Sequence, residues 1–100
     1  MLIEDNCESL GSITDTQEYA GTVGQFGSYS FFYSHHLQTM EGGMIVCKKT
    51  DDADFIRSMR AHGWSRDLTD DNTIYKKSGN KFKDSFTFIT PGYSLRPLEM

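Results

Sequence analysis

Two adjacent histidines, His35 and His36, carry the most versatile chemistry in the sequence. They follow the aromatic residues 29–33, whose composition is typical of a strand. Because neighbouring strand residues point to opposite faces, one histidine could enter a site while the other packs or meets solvent. An imidazole can act as a general base or bind a metal. A zinc site would have to recruit His62 or a cysteine, and those spacings fit no standard zinc pattern, so no metal is expected.

Asp5 is the second candidate because it directly follows residues 2–4, a short apolar run that predicts a strand. In open α/β sheets, ligands bind at the carboxyl ends of the strands. The functional interpretation of Asp5 is therefore a ligand contact, and the alternative is a helix cap or a surface carboxylate.

Glycines at positions 21, 24 and 27 mark a turn-rich connection that could cradle a phosphate. The segment lacks the Lys-Ser/Thr ending of a P-loop, and no helical pattern follows it as a dinucleotide fingerprint requires. We interpret these glycines, and those within residues 41–43, as turn residues.

Short strands and one clear helix must position these candidates, and this alternation predicts an α/β architecture. Thr50 or Asp51 can cap the helix, and Gly63 is a good stop. The expected apolar face of the helix consists of Phe55, Ile56 and Met59. The other expectations are strands at residues 2–4, 29–33, 44–47 and 86–89, a helical turn and loop at residues 6–20, and a long functional or mobile loop at residues 65–85.

The composition fits one small globular domain, with 37% hydrophobic residues and a net charge of −4 over 100 residues. The acidic balance argues against a nucleic-acid binder, and the lack of an apolar run of about 18 residues argues against a membrane span. The presence of only two cysteines and the lack of a signal-peptide pattern favour a location in the reducing cytoplasm. An apolar run beginning at residue 2 and a helix start at residues 96–99 indicate an internal piece of a larger protein.

Six segments, taken in order, resemble the DegT/StrS group of sugar aminotransferases. They are IEDNCESLG at residues 3–11, VGQFG and SFF within residues 23–32, EGG at 41–43, RAHGW at 60–64 and GYSLR at 92–96. The resemblance covers nearly the whole chain and implies the fold type I architecture of aspartate aminotransferase, with a large α/β domain, a mostly parallel sheet and a homodimeric assembly. Residues 1–100 would be part of the large domain that binds pyridoxal 5'-phosphate.

The resemblance also implies roles for individual residues. Asp5 corresponds to the aspartate that pairs with the pyridine nitrogen of the cofactor and keeps it protonated, so that the ring acts as an electron sink. Glu8 stands near the cofactor ring, and Ser30 corresponds to the serine that binds the phosphate. Ser94 occupies the position of an asparagine that, in many members, reaches the phosphate of the neighbouring subunit's cofactor, and its side chain is shorter.

His35 departs from the family pattern, because six residues before Glu41 the family carries the lysine that forms a Schiff base with the cofactor. The substitution is similar to a branch of sugar 3-dehydratases. In that branch pyridoxamine 5'-phosphate condenses with the C4 ketone of a nucleotide-linked 4-keto-6-deoxy sugar, a histidine removes a proton from the C4′ carbon of the cofactor, and the C3 hydroxyl is expelled. His36 is expected to pack nearby. One subgroup of that branch restores the aminated cofactor with glutamate, and another uses an iron–sulfur cluster and a reductase.

The resemblance leaves three functions open. The first is C3 dehydration of a nucleotide sugar with His35 as the base, in deoxysugar and surface polysaccharide biosynthesis. The second is a sugar aminotransferase of the same family, and the third is a non-catalytic family member. In each case this segment alone is expected to be inactive, and neither nucleic acid nor a membrane is an expected partner.

Overall fold

Three short strands and two helices occur in residues 1–98, which are the residues that the computed structural model describes. The chain divides into two compact units, Met1–Lys48 and Lys49–Arg96. The first unit contains β1 (Ile3–Asp5), β2 (Phe26–Ser30) and β3 (Gly43–Cys47), and the second contains α1 (Thr50–Met59) and α2 (Lys81–Ser85). No helix in the described part of the chain is long and apolar enough to cross a bilayer.

The sheet of the first unit has the order β1-β2-β3 and is mixed. β1 pairs parallel to β2 with Asp5 opposite Ser28, and β2 pairs antiparallel to β3 with Ser30 opposite Gly43. The last residues of β1 and β2 and the first residue of β3 therefore share one edge of the sheet. We call this edge, formed by Asp5, Ser28, Ser30 and Gly43, the Asp5 edge.

A loop at residues 20–24 covers one face of the sheet. Glu4 accepts hydrogen bonds from the amides of Gly21 and Gly24, and the hydroxyl of Tyr29 donates to the carbonyl of Ala20. Gly27 is required in β2, because a Cβ there would collide with the backbone of Gly21. The glycines expected to act as turn residues thus also allow close packing against the strands.

Polar side chains, and not the expected apolar face, form the buried side of α1. Asp54 and Ser58 are fully buried, whereas Phe55 is 40% exposed and Ile56 and Met59 are half-buried. Ser58 donates to the carbonyl of Trp64 at 2.8 Å, and Asp54 accepts from both the amide and the hydroxyl of Thr69. The expectation was wrong because this face anchors irregular backbone, whose polar groups need hydrogen-bonding partners. Three further residues, Ala61, Ser65 and Leu68, are buried in the same unit.

Several predicted boundaries are also corrected. β2 begins at Phe26, three residues before the predicted strand, and α1 begins after Lys49, which makes no side-chain cap. Residues 86–89 form no strand, and Phe88 makes only an isolated bridge with Trp64. Residues 6–20 contain turns and one bridge without a helix. The helix start expected at residues 96–99 is not helical up to residue 98, and its last residue lies outside the described part.

The long loop expected at residues 65–85 is irregular up to Asn80, and carboxylates hold it in place. Asp51 accepts from the amide and hydroxyl of Thr73, and Asp84 accepts from the amides of Ser78 and Gly79. These bonds lower the pKa of both carboxyl groups, with Thr73 the main cause for Asp51 and the Ser78 amide for Asp84. The segment ends in α2, where Asn80 caps the helix by accepting from the amide of Lys83.

Candidate functional site

The carboxylate of Asp5 lies at the carboxyl end of β1 and is exposed. Its Oδ1 accepts the amide of Cys7 at 3.2 Å and the hydroxyl of Ser28 at 3.3 Å. The carboxylate also interacts with the Cys7 thiol through charge and a side-chain hydrogen bond. Asp5 is thus oriented by the turn and by β2, and its exposed side can pair with a cation.

Ser30 lies on the same face and the same edge of the sheet as Asp5. Asp5 contacts Ser28 from the neighbouring strand, and side chains two positions apart on a strand share a face. The Oγ of Ser30 accepts the amide of Phe32 at 3.3 Å, and in the described part of the chain its hydroxyl proton has no acceptor. Ser30 can therefore donate to an oxygen of a bound ligand.

His35 lies in the loop that joins β2 to β3, beyond the Asp5 edge. The base of this loop is closed by hydrogen bonds from the amide of Phe31 to the carbonyl of Gly42 and from the amide of Thr39 to the carbonyl of Phe31, both at 2.9 Å. His35 is half-buried, with its ring centroid 6.2 Å from that of Phe32. The neighbouring His36 is exposed.

Glu8 is exposed, three residues beyond Asp5 in the turn that follows β1. In the same turn, burial and then the negative charge of Asp5 raise the pKa of the Cys7 thiol. In the described residues no three histidine, cysteine or acidic side chains converge on a point that could hold a metal ion.

Ser94 belongs to the second unit, where it is exposed and forms a bridge with Ala61. The backbone on either side is fixed by hydrogen bonds from the amide of His62 to the carbonyl of Tyr93 and from the amide of Leu95 to the carbonyl of Arg60, both at 2.9 Å. The segment that carries Ser94 is therefore anchored to the end of α1.

The first unit thus brings together Asp5, Ser30 and His35 at one edge of the sheet or in the loop beyond it. Their chemistry fits a phosphorylated pyridine cofactor, since a carboxylate can hold a ring nitrogen, a hydroxyl can donate to a phosphate and an imidazole can move a proton. The sequence contains no lysine between residues 31 and 42, so this loop offers no amine for a covalent bond.

Two residues at this edge were not identified from the sequence. Ser28 contacts Asp5, and Phe32 contacts both Ser30 and His35. The pairing of Ser28 with Asp5 depends on the register of two strands, which one sequence does not disclose. The two-residue spacing of Ser28 and Ser30 was the available signal.

Known proteins share this arrangement of sequence and fold. GDP-4-keto-6-deoxy-D-mannose 3-dehydratase of Escherichia coli is 48% identical over 101 residues, which span all of this chain and 26% of that protein. A solved structure of a GDP-4-keto-6-deoxymannose-3-dehydratase variant, with a histidine replaced by asparagine and with bound GDP-perosamine, matches with a TM-score of 0.88 and 46% identity. That match covers 95% of this chain and 25% of the other.

A second solved structure of this dehydratase holds a trapped PLP-glutamate geminal diamine. It matches with a TM-score of 0.84 and 44% identity over 92% of this chain and 24% of the other. The chain therefore spans about a quarter of the length of the curated relatives it matches. The α/β fold expected from the sequence, as part of a fold type I large domain, is confirmed.

The profile of the DegT/DnrJ/EryC1/StrS aminotransferase family matches residues 1–86. Together with the 48% identity to GDP-4-keto-6-deoxy-D-mannose 3-dehydratase of Escherichia coli, this match confirms the resemblance found in the six sequence segments. The chain belongs to the DegT/DnrJ/EryC1/StrS aminotransferase family.

Proposed function

We propose that the full-length protein is a pyridoxal 5'-phosphate/pyridoxamine 5'-phosphate-dependent enzyme that removes the C3 hydroxyl of a GDP-linked 4-keto-6-deoxy sugar. One observation carries the proposal: His35 lies six residues before Glu41, at the position where the family resemblance implies the lysine of an aminotransferase. Relatives at 48% and 45% identity, named as GDP-4-keto-6-deoxy-D-mannose 3-dehydratases, support it. Residues 1–100 then form part of the cofactor-binding large domain.

Each residue of the candidate site has a task in this reaction. Bound pyridoxamine phosphate supplies the amine that joins the sugar ketone and the ring that accepts electrons. His35 takes the proton from the C4′ carbon, and Asp5 holds the ring nitrogen in its protonated form. Ser30 orients the phosphate, and Glu8 contacts the side of the cofactor ring.

The absence of lysine from the loop favours dehydration over transamination. An imidazole moves protons but forms no lasting Schiff base, so the cofactor is held by Asp5, Ser30 and other non-covalent contacts alone. This loop therefore offers no internal amine that would displace a sugar from a bound cofactor, which would favour loss of the C3 hydroxyl.

The proposal extends to the assembly and its partners. We propose a homodimer in the cytoplasm, with Ser94 reaching towards the cofactor of the neighbouring subunit. Glutamate is the proposed amino donor, which is supported by the PLP-glutamate adduct in a solved relative. A cytoplasmic location agrees with two cysteines that are free in the described structure.

Incubating the full-length protein with pyridoxamine phosphate and GDP-4-keto-6-deoxymannose tests this function. Mass spectrometry should show the loss of one oxygen atom from the sugar, because water is eliminated, the amine is then released by hydrolysis, and pyridoxamine phosphate is oxidised to pyridoxal phosphate. His35→Asn should abolish this loss, by at least about a hundredfold, because the base is removed. His36→Asn is the matched control and should retain activity.

Two results would contradict the proposal. An amino sugar formed without loss of water would identify an aminotransferase. A His35→Asn variant with a rate within a few-fold of the parent would show that another group moves the proton.

A further inference from the structure

We propose that Phe32 is a positioning residue that fixes the imidazole of His35 relative to Ser30. This inference deepens the proposed function and rests on it, since it assigns how the proposed base is held. Phe32 itself needs to touch neither substrate nor cofactor.

The backbone of Phe32 joins the two candidate groups. Its amide donates to the Oγ of Ser30 at 3.3 Å, and its carbonyl accepts the amide of His35 at 3.0 Å. The first bond occupies a lone pair of the Ser30 hydroxyl and leaves its proton for a ligand. The second closes a turn over residues 32–35, so the Cα of His35 is tied to the end of β2.

The ring of Phe32 then orients the imidazole. The two ring centroids are 6.2 Å apart with an interplanar angle of 64°, an edge-to-face arrangement. The ring of Tyr33 contacts Phe32 in a similar geometry, at 4.5 Å and 63°. Aromatic pairs at these separations attract one another in this orientation, so Phe32 is held by Tyr33 and in turn restrains His35.

This contact matters because a backbone bond alone does not set a side-chain angle. Within residues 1–98 the side-chain hydrogen bonds of this loop are made by Ser30 and Thr39 and do not involve the ring nitrogens of His35. The imidazole could therefore rotate about its two side-chain torsions if the Phe32 ring were absent. A general base works only within hydrogen-bonding reach of its proton, so such rotation lowers the rate without weakening substrate binding.

The neighbouring Phe31 provides a matched control. It is also a phenylalanine in the same loop, and in the described part of the chain it makes no ring contact with His35. Phe31→Leu and Phe32→Leu thus make the same chemical change one residue apart. Phe32→Tyr keeps the ring and is the variant expected to rescue.

The experiment uses the full-length protein and two independent measurements. The first is steady-state kinetics with GDP-4-keto-6-deoxymannose. The second is the rate at which diethyl pyrocarbonate modifies His35 in cofactor-free protein, followed by peptide mass spectrometry, with the exposed His36 as an internal reference. Phe32→Leu should lower kcat about tenfold with KM within about twofold, and should raise the modification rate of His35 about threefold.

The remaining variants complete the expected pattern. Phe32→Tyr should restore both values, and Phe31→Leu should stay within about twofold of the parent in both. If Phe32→Leu fails to fold, Tyr33→Leu carries the test. It removes the support of the Phe32 ring and should produce a smaller change in the same direction in both measurements.

Two outcomes would overturn the inference. The first is that Phe32→Leu, or Tyr33→Leu in its place, leaves kcat and the modification rate unchanged. The second is that Phe31→Leu reduces kcat as much as Phe32→Leu, which would indicate general damage to the loop. Failure of the proposed function can be distinguished from failure of this inference. An active His35→Asn variant would show that His35 is not the base. The modification rate of His35 would still report whether Phe32 restrains its ring.

Discussion

Glu4 and Asp5 are adjacent carboxylates with different tasks, because successive side chains of a strand point to opposite faces. Glu4 accepts the amides of Gly21 and Gly24 and fixes the loop beneath the sheet. Asp5 lies on the other face and is exposed. β1 thus places the structural carboxylate of Glu4 on one face of the sheet and the carboxylate of Asp5, which is available to a ligand, on the other.

Asp5→Asn should damage the chemistry far more than the fold. The side chain is exposed, so its replacement leaves packing intact, but an amide cannot hold the cofactor nitrogen protonated. We expect kcat of the full-length enzyme to fall at least about a hundredfold with the melting temperature nearly unchanged. Asp15→Asn, at an exposed position in the 6–20 segment, is the control. Equal turnover in both variants would remove Asp5 from the site.

Glu4→Gln should have the converse effect. An amide accepts on one atom only, so one of the two glycine amides loses its partner and the loop at residues 20–24 loosens. We expect a melting temperature lower by several degrees, measured by differential scanning fluorimetry. Glu18→Gln, in an exposed loop, should leave it unchanged. A Glu4→Gln protein as stable as the parent would show that the carboxylate of Glu4 does not stabilise the loop.

At the scale of secondary-structure elements, the sequence predicted the strands and the helix that have local signals. β1, β3 and α1 were found within a few residues, because apolar runs and the acidic start of a helix can be read directly. β2 was displaced, since Gly27 looks like a turn residue until the loop that packs against it is seen. Asp5, Ser30 and His35 were predicted from the family resemblance, whereas the placement of Asp5 and Ser30 at one edge of the sheet required the strand register.

The second unit shows why its buried polar residues and its hydrogen-bonded loop were not predicted. Its order comes from Asp51, Asp54 and Asp84, whose partners lie 22, 15 and 6 residues away in the chain. Such carboxylates look like ordinary surface residues in a sequence, because nothing local indicates their distant partners. The apolar residues of α1 were therefore expected to be buried, whereas the buried residues of this helix are Asp54 and Ser58.

Asp54→Ala should strongly destabilise the second unit. It leaves the amide and hydroxyl of Thr69 without their acceptor and Arg57 without its partner at 2.6 Å. We expect a loss of at least about 2 kcal/mol in folding free energy, because buried polar groups left unpaired keep their full desolvation penalty. Proteolysis within residues 65–85 of the full-length protein should become faster. Asp71→Ala, at an exposed position, should change neither measurement.

At the scale of the whole molecule, carboxylates in both units make stability sensitive to acid. The pKa values of Glu4, Asp51 and Asp84 are lowered from their ordinary values of 4.5, 3.8 and 3.8, chiefly by hydrogen bonds from Gly24, Thr73 and Ser78. A lowered folded-state pKa adds stability that is present above the unfolded pKa and is lost as the pH falls through the folded one.

The melting temperature should therefore fall as the pH is lowered below about 4.5, and it should change little from these groups above that value. Asp84→Asn should flatten part of this dependence, because the amide has no proton to gain in this range. Thermal melts between pH 3 and 7 would measure it. A parent and variant with parallel pH profiles would show that Asp84 contributes none of the acid sensitivity.

The proposed homodimer permits a test of whether each site is shared between subunits. If Ser94 serves the neighbouring subunit's cofactor, Ser94→Phe and His35→Asn should each inactivate the homodimer. A mixed dimer would then contain one intact site, with His35 from one chain and Ser94 from the other. Random mixing makes half of the dimers mixed, so about a quarter of the parental activity should return after subunit exchange. No recovery from a verified mixed dimer would place Ser94 and His35 of the same chain at one site, and an active Ser94→Phe homodimer would exclude Ser94 from the site.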